Sequence, residues 1–373
     1  MKNFVYMDAS ASWLKPQSLV ENQSDFLRNF YANAGRGICP RAGHVDNLIA
    51  DARKKVADFI NAKPENIVFV SGATDAFNRI VNIINKTWSE KCLKVAVSDL
   101  DHHSARLPWE MFAKQGNCKI SLMPLDKDLN IDVNNIPMCD VYVITAMSNV
   151  IGVAQDVRAI IKNIKSKNPS AITIIDAAQY VAHEKIDVKK FDCDFLVFSG
   201  HKIGSDTGVG VMYVKEPDKW NPDKFGGGMV NRVMDDKIIF NKSPEKFEAG
   251  TLPITQIVGL PYAVDYLKQW DGGEKLIHYM YDELSKIKNI KILTSRDSVM
   301  ISFIVKNMHV LDFGALIGTN NICLRVGNMC ASWIHKKLNI DGSIRISVGP
   351  WNTMDDAVYV IDTVKKLVEK NAK

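Results

Sequence analysis

The chain has 373 residues, 46% of them hydrophobic, and a net charge of +5 from 47 basic and 42 acidic residues. This length and apolar content are sufficient for a large core, divided between one large and one smaller domain. The small charge excess is spread along the chain without a dense Lys/Arg block, which argues against nucleic-acid binding.

The cysteines and the apolar runs indicate the compartment. Seven cysteines stand at irregular spacing with no Cys-x-x-Cys pair, which is typical of reduced thiols and not of a disulfide framework or a zinc site. No apolar run approaches the roughly 20 residues that a bilayer needs, and Met1–Pro16 lacks the apolar core of a signal peptide. We therefore expect a cytoplasmic protein without membrane contact.

The first predicted elements are a short opening segment, two helices and the loop between them. Residues 6–13 are polar or small, and a helix is predicted from Pro16 to about Tyr31. After a loop over 33–39, apolar residues recur at helical spacing over 46–61 and predict the second helix.

The segment after the first core strand predicts an anion site. The strand Ile67–Val70 runs through a small-residue turn into a helix. The free amides at the start of that helix and the hydroxyl of Thr74 point at one spot, which is the geometry of an anion cradle. An ordinary N-cap by Ser71 or Thr74 is the alternative.

Two further strands end in polar residues. The strand Lys94–Val97 precedes the adjacent pair His102 and His103, and the strand that begins at Val141 precedes Asn149. A zinc half-site at the histidine pair is disfavoured, because no carboxylate or cysteine joins it at helical ligand spacing.

The run Ala171–Asp176 is nearly continuous in apolar residues. It predicts a parallel strand whose carboxyl end presents Asp176. A buried carboxylate needs a cationic partner. The protonated pyridine nitrogen of pyridoxal 5'-phosphate (PLP) is such a partner, and an aspartate paired with it keeps the ring an electron sink.

Lys202 lies in a glycine-rich turn between the predicted strands Phe195–Phe198 and Val209–Val214, with Ser199 and His201 close by. The glycines let backbone approach a flat ligand, and a lysine held in such a turn is suited to bond a cofactor aldehyde. A solvated lysine in a surface turn is the alternative, because a motif is only a hypothesis until its context confirms it.

The last part of the chain alternates strands and helices after a long helix that begins near residue 256. We place the domain change there. Residues 16–255 are predicted to form the large domain, and residues 1–15 with 256–373 the small domain.

One cysteine and two arginines in the small domain carry the remaining chemistry. Cys330 alone among the cysteines follows a strand and a glycine, in a loop from which a thiol reaches a neighbouring site. A small buried hydrophobe is the alternative. Arg325 and Arg345 near one site suit a planar carboxylate, because guanidinium offers a bidentate fork. Four other cysteines lie in or beside apolar runs, where burial is expected to raise the thiol pKa: Cys92, Cys118, Cys139 and Cys193.

The motifs, in this order, resemble the class V aminotransferase family, and within it the SUF-type cysteine desulfurases. The resemblance runs from Tyr6 to Thr353 and includes Ser-Gly-His-Lys at 199–202 and Arg-x-Gly-x-x-Cys at 325–330. It implies the α/β fold of the fold-type I PLP enzymes. That fold has a large domain with a mostly parallel seven-stranded sheet flanked by helices, and a smaller C-terminal α/β domain.

The resemblance also implies a complete PLP site. Lys202 would bond the cofactor, His102 would stack on its ring and relay protons, and Asp176 would pair with the pyridine nitrogen. The loop residues Arg36 and Gly37 match the family's Arg-Gly segment. The remaining implied contacts with PLP are made by Ala73, Thr74, Asn149, Gln179, Ser199, His201 and Thr251, the last of which reaches the phosphate of the second subunit in a homodimer.

The implied reaction removes sulfur from L-cysteine and leaves L-alanine. Arg345, Arg325 and Asn149 would hold the substrate, and Cys330 would receive the sulfur as a persulfide. An acceptor protein in iron-sulfur cluster or other sulfur biosynthesis would then take it. The chain departs from the family at Ala331-Ser332-Trp333, which lacks the Pro common after the cysteine.

Two alternatives remain open at this point. Another class V PLP enzyme that does not use Cys330, such as an aminotransferase, a carbon-sulfur lyase or a selenocysteine lyase, would share every cofactor residue. A non-enzymatic scaffold that keeps the fold is the second alternative, and the intact Lys202, Asp176, His102 and Arg345 argue against it.

Overall fold

The computed structural model describes residues 4–35, 37–88 and 91–370. Its strands are β1 (Val5–Tyr6), β2 (Ile67–Val70), β3 (Leu93–Val97), β4 (Cys118–Leu122), β5 (Val141–Thr145), β6 (Ile172–Asp176), β7 (Phe195–Ser199), β8 (Gly210–Val214), β9 (Val230–Val233), β10 (Ile238–Phe240), β11 (Ile290–Ile292), β12 (Ile301–Val305), β13 (Ile322–Cys323), β14 (Arg325–Gly327) and β15 (Ser343–Ile346). Its α-helices are α1 (Gln17–Asp25), α2 (Pro40–Phe59), α3 (Ala73–Thr87), α4 (His103–Lys114), α5 (Val157–Lys167), α6 (Val188–Phe191), α7 (Ile254–Leu267), α8 (Glu274–Ser285), α9 (Val310–Gly318), α10 (Ser332–Lys337) and α11 (Met354–Lys370). None of the helices in these ranges is long and apolar enough to cross a bilayer.

The larger sheet has seven strands in the order β2-β8-β7-β6-β5-β3-β4. The neighbours from β4 to β7 pair in parallel, whereas β8 runs antiparallel to both β2 and β7. The central strands β5, β6 and β7 are buried along their whole length, which explains their continuous apolar sequences. The predicted mostly parallel seven-stranded sheet is confirmed.

Helices cover both faces of this sheet, and alternate residues of each strand point to opposite faces. Leu196 and Phe198 of β7 belong to the apolar cluster that contains α2, α5 and α7. Phe195 and Val197 belong to the cluster that contains α3 and α4. A buried core therefore fixes each strand on both sides, and with it the polar residues at the strand ends.

A second sheet of four antiparallel strands has the order β11-β12-β15-β14 and packs against α8, α9 and α11. The N-terminal strand β1 pairs in parallel with β13, so the opening segment of the chain lies beside the C-terminal elements. The predicted boundary at residues 255/256 falls within α7, whose buried face packs with α1 and α2; the boundary stays a prediction.

Two local features differ from the sequence-based prediction. Helix α2 begins at Pro40 instead of residue 46, because proline occupies the first helical position, where the absent N–H is not needed. The helix that follows Pro16 is regular only to Asp25 and continues to Phe30 as a π-helix.

Candidate active site

The carboxyl ends of the parallel strands form the floor of a cavity of about 170 Å³. Thr145 ends β5, Asp176 ends β6 and Ser199 ends β7, and these neighbouring strands end at one edge of the sheet. This edge is where ligands bind in open α/β sheets. The cavity is lined by all the predicted cofactor residues except Thr251, namely Ala73, Thr74, His102, Asn149, Asp176, Gln179, Ser199, His201 and Lys202.

Lys202 lies in the single helical turn that follows β7. Its Nζ donates a hydrogen bond of 2.5 Å to the carbonyl oxygen of Ser10. Burial, reinforced by the nearby positive charge of Arg345, lowers the pKa of Lys202 to about 7. An amine with this pKa is substantially neutral at pH 7, as a nucleophilic lysine must be. The alternative of a solvated surface lysine is wrong.

Asp176 is 5% exposed and accepts a hydrogen bond of 2.9 Å from the backbone N–H of Ala178. Burial raises the pKa of Asp176 to about 6, against the opposing effects of that hydrogen bond and of the positive charge of Lys202. Gln179 lies one turn further on and donates to the same Ser10 carbonyl as Lys202, at 2.7 Å. The N-terminal segment therefore closes one side of the cavity.

The N-terminus of α3 faces the cavity without a side-chain cap. The hydroxyl of Thr74 pairs with Ser104 Oγ at 2.7 Å, and the N–H of Ala73 donates to Ser199 Oγ at 2.9 Å. The alternative of an ordinary cap by Ser71 or Thr74 is therefore wrong. A helix start of this kind favours an anion such as phosphate.

His102 precedes α4 and its Nδ1 accepts the N–H of Ser104 at 3.1 Å. Burial, together with the charge of Lys202, lowers the pKa of His102 to about 4. The ring is therefore neutral near pH 7 and carries its proton on Nε2. His201, also in the cavity wall, has its pKa lowered to about 4 chiefly by burial.

Asp8 joins the two predicted substrate arginines, a role that sequence reasoning missed. Its carboxylate lies 3.1 Å from Nη2 of Arg345 and 2.6 Å from Nη2 of Arg325. Arg345 also donates from Nη1 to the carbonyl oxygen of Asn149 at 2.6 Å, which links the arginines to the cavity wall. Strand β1 places this carboxylate beside the C-terminal strands, but its two residues are too few to show a periodic pattern in the sequence.

The arginine pair keeps capacity for a ligand. Nε of Arg345 is buried and has no hydrogen-bond partner, and a buried donor without a partner is costly unless a ligand uses it. Two guanidinium charges against the single carboxylate of Asp8 leave one positive charge. This balance suits a ligand with one carboxylate.

The loop formed by residues 328–331, here called the Cys330 loop, connects β14 to α10 and contacts Asn149 of the cavity wall. Asn149 Nδ2 donates to the carbonyl oxygen of Met329 at 2.8 Å. The backbone N–H of His103 donates to the carbonyl oxygen of Cys330 at 2.7 Å. Met329 and Cys330 have φ angles of 49° and 53°. Left-handed backbone costs about 1–3 kcal/mol at each non-glycine residue, so it persists only where the surroundings determine it.

The cysteines differ in burial. Cys118, Cys139 and Cys193 are buried as predicted, whereas Cys92, Cys39 and Cys330 are exposed. The prediction of burial is wrong for Cys92, which directly precedes β3 and is exposed. The alternative of a buried structural residue is likewise wrong for Cys330. Cys323 is partly buried, and burial raises its thiol pKa.

Thr251 lies apart from the other predicted cofactor residues. It is exposed and lines a different cavity, of about 650 Å³, together with Gly227 and Gly228. Arg36 falls outside the described residues.

The fold and the cavity at the strand ends together place the chain in the fold-type I class of α/β proteins. The family model for class V aminotransferases matches residues 5–360. The chain belongs to the class V aminotransferase family.

Proteins named cysteine desulfurases are similar to this chain over nearly its whole length. A cysteine desulfurase of Wigglesworthia glossinidia brevipalpis is 32% identical and covers 97% of this chain and 92% of the relative. A solved cysteine desulfurase of Thermococcus onnurineus superposes with a TM-score of 0.93 at 28% identity, covering 98% of this chain and 95% of the other. The solved cysteine desulfurase CsdA of Escherichia coli, in its S-sulfonic acid form, superposes with a TM-score of 0.90 at 29% identity. That match covers 98% of this chain and 95% of the other.

Proposed function

We propose that this protein is a PLP-dependent cysteine desulfurase. It removes sulfur from L-cysteine, releases L-alanine and carries the sulfur as a persulfide on Cys330 for delivery to an acceptor protein. The relatives named cysteine desulfurases support this reaction. We also infer that the protein acts in the cytoplasm and resembles the SUF-type members most.

One structural observation carries the proposal. The exposed Cys330 and its neighbour Met329 are tied to the elements that build the cavity, because the N–H of His103 donates to the Cys330 carbonyl oxygen and Asn149 donates to that of Met329. A thiol held there reaches a substrate bound in the cavity and remains open to solvent. An enzyme of the same family that did not use Cys330 would have no need of a thiol in this position.

The residues of the cavity fit PLP. The capless N-terminus of α3 suits its phosphate, buried Asp176 suits its pyridine nitrogen, and the amine of Lys202 suits its aldehyde. When bound, PLP supplies an electron sink that makes the Cα proton of an amino acid removable.

Arg345, Arg325 and Asn149 bind the substrate. Nε of Arg345 and the free donors of Arg325 hold the carboxylate of L-cysteine, which carries the one negative charge that the site accommodates. The amine of Lys202 would take the Cα proton. The neutral ring of His102 is placed to relay protons at the cofactor ring.

The sulfur step takes place at the Cys330 loop. The Cys330 thiolate attacks the substrate Sγ, so an S–S bond forms while the Cβ–Sγ bond breaks and its electron pair goes to Cβ. Cβ takes up the proton that the Cys330 thiol released on ionising, and Lys202 returns the Cα proton, which completes L-alanine. One thiol and one L-cysteine thus yield one persulfide and one L-alanine, with no external oxidant.

We further propose a homodimer in which Thr251 reaches the PLP phosphate of the second subunit. The exposure of Thr251, and its separation from the cavity that contains the other cofactor residues, support this arrangement. Sedimentation is expected to give a dimer, and Thr251→Ala is expected to weaken PLP binding. A monomer with full activity would contradict the shared site.

The decisive experiment adds L-cysteine to the pure PLP-loaded protein. We expect alanine by amino-acid analysis and a gain of one sulfur at Cys330 by mass spectrometry. A keto acid or free sulfide formed equally well by Cys330→Ala would instead identify an aminotransferase or a lyase.

A further inference from the structure

The side chain of His103 fastens the Cys330 loop to α4. Nε2 of His103 lies 3.2 Å from the backbone nitrogen of Ser332 and 3.1 Å from Ser332 Oγ. A backbone N–H can only donate, so Nε2 accepts and carries no proton. Burial lowers the pKa of His103, which favours this neutral, accepting form.

His103 contacts the chain at Cys330 and at the two residues Ser332 and Trp333 that follow it. Its backbone N–H donates to the carbonyl oxygen of Cys330 at 2.7 Å. Its ring also meets Trp333 edge-on, with 5.2 Å between ring centroids. The guanidinium of Arg106, one turn along α4, lies 4.2 Å from the centroid of the same Trp333 ring. The start of α10 is therefore docked on α4.

The backbone of the loop depends on such contacts. Met329 and Cys330 are both in the left-handed region, which non-glycine residues hold only where neighbouring groups determine it. Asn149 and His103 supply these contacts from the large sheet's side of the site. Asn149 lines the cofactor cavity, whereas His103 does not, so the His103 ring influences the reaction through the loop.

We propose that His103 is a positioning residue whose ring accepts the Ser332 N–H and thereby holds the Cys330 thiol at the mouth of the cofactor cavity for the sulfur-accepting step. This inference rests on the proposed function, because it concerns the step in which Cys330 receives sulfur. His103 itself touches neither the cofactor cavity nor the substrate arginines.

The test uses the PLP-loaded protein and three variants. His103→Ala removes the acceptor, and His103→Gln restores one, since the glutamine Oε1 takes the place of Nε2. His309→Ala is the matched control, because His309 Nδ1 accepts the N–H of Leu311 at 3.3 Å at the start of α9. His309→Ala thus removes a histidine that accepts a backbone N–H, as His103 does, but at a position away from the Cys330 loop.

Three readouts separate positioning from a general loss of structure. The first is the single-turnover rate of persulfide formation at Cys330, measured by mass. The second is the L-cysteine concentration that half-saturates the absorbance change of the bound cofactor. The third is hydrogen exchange of the peptide that contains residues 328–333.

We expect His103→Ala to slow persulfide formation about tenfold and to speed exchange of that peptide alone, with L-cysteine binding unchanged. His103→Gln is expected within about threefold of the wild type, and His309→Ala at the wild-type rate. The inference is overturned if His103→Ala forms the persulfide at the wild-type rate, or if His103→Gln forms it as slowly as His103→Ala does. Either result leaves the proposed function intact. A wild-type protein that forms no Cys330 persulfide overturns the proposed function, and this inference with it.

Discussion

The cofactor cavity and the Cys330 loop are neighbours built in opposite ways. In the cavity, the functional groups stand at buried strand ends, and burial changes their chemistry. It lowers the pKa of Lys202 to about 7 and raises that of Asp176 to about 6. In the loop, Cys330 is exposed, and contacts from Asn149 and His103 hold its left-handed backbone.

The difference corresponds to two chemical tasks. Proton transfer requires groups with tuned pKa values in a fixed environment with little water, which strand ends in a packed core supply. A thiol that receives sulfur from a buried substrate and gives it to another protein must instead be accessible from both sides. Under the proposed function, burial activates the amine of Lys202, whereas accessibility serves the thiol of Cys330.

The strongest test of this comparison removes the buried amine. Lys202→Ala is expected to lose the absorbance of the covalently bound cofactor and to lower multiple turnover by at least about a thousandfold, since the proposed function assigns removal of the Cα proton to Lys202. Lys15→Ala is the control, because Lys15 is also a half-buried lysine whose pKa is lowered by burial. Normal turnover by Lys202→Ala would remove the PLP mechanism.

The second test removes the exposed thiol. Cys330→Ala is expected to bind PLP and L-cysteine nearly as the wild type does, because the cofactor contacts come from the cavity and not from the loop. Alanine production is expected to fall about a hundredfold. Cys323→Ala and Cys39→Ala serve as controls, and a persulfide on either of these residues would show that Cys330 is not the acceptor.

The third test concerns the junction of the two regions. Arg345 is 2% exposed and pairs with Asp8, itself 5% exposed. Removing one partner leaves a buried charge uncompensated, so Asp8→Ala is expected to lower the free energy of unfolding by about 3 kcal/mol. Denaturant titration of the wild type and of Asp8→Ala measures this difference in the free energy of unfolding.

The control for that change is Asp265→Ala, which breaks a half-exposed ion pair with Lys55. Its cost is expected to stay below about 1 kcal/mol, because water screens such pairs. Equal losses in the two variants would show that Asp8 is not needed to neutralise the arginines.

The two regions also differ in how far the sequence predicts them. Lys202 and Asp176 were predictable because continuous apolar runs mark parallel strands, and the carboxyl ends of such strands meet at one edge. Asp8 was missed as an arginine partner because β1 has only two residues, too few for a periodic pattern. The contact between His103 and Ser332 joins residues 229 positions apart and involves a backbone N–H, which no side-chain pattern records.

The fourth test titrates the buried amine in the protein without PLP. Only the neutral amine of Lys202 attacks an aldehyde, and its pKa is lowered to about 7, first by burial and then by Arg345. The rate of PLP capture is therefore expected to rise about tenfold per pH unit below pH 7 and to level off above it. Borohydride reduction followed by mass analysis at Lys202 measures the captured fraction.

Two variants test the sign of each neighbouring charge. Arg345→Gln removes a positive charge that disfavours the ammonium form, so the midpoint of the Lys202 titration is expected to rise. Asp176→Asn removes a negative charge that favours it, so the midpoint is expected to fall. His102 and His201 stay neutral over this range, because both have pKa values of about 4. A capture rate that keeps rising to pH 10 would show an ordinary, solvated lysine and would remove the contrast between the cavity and the loop.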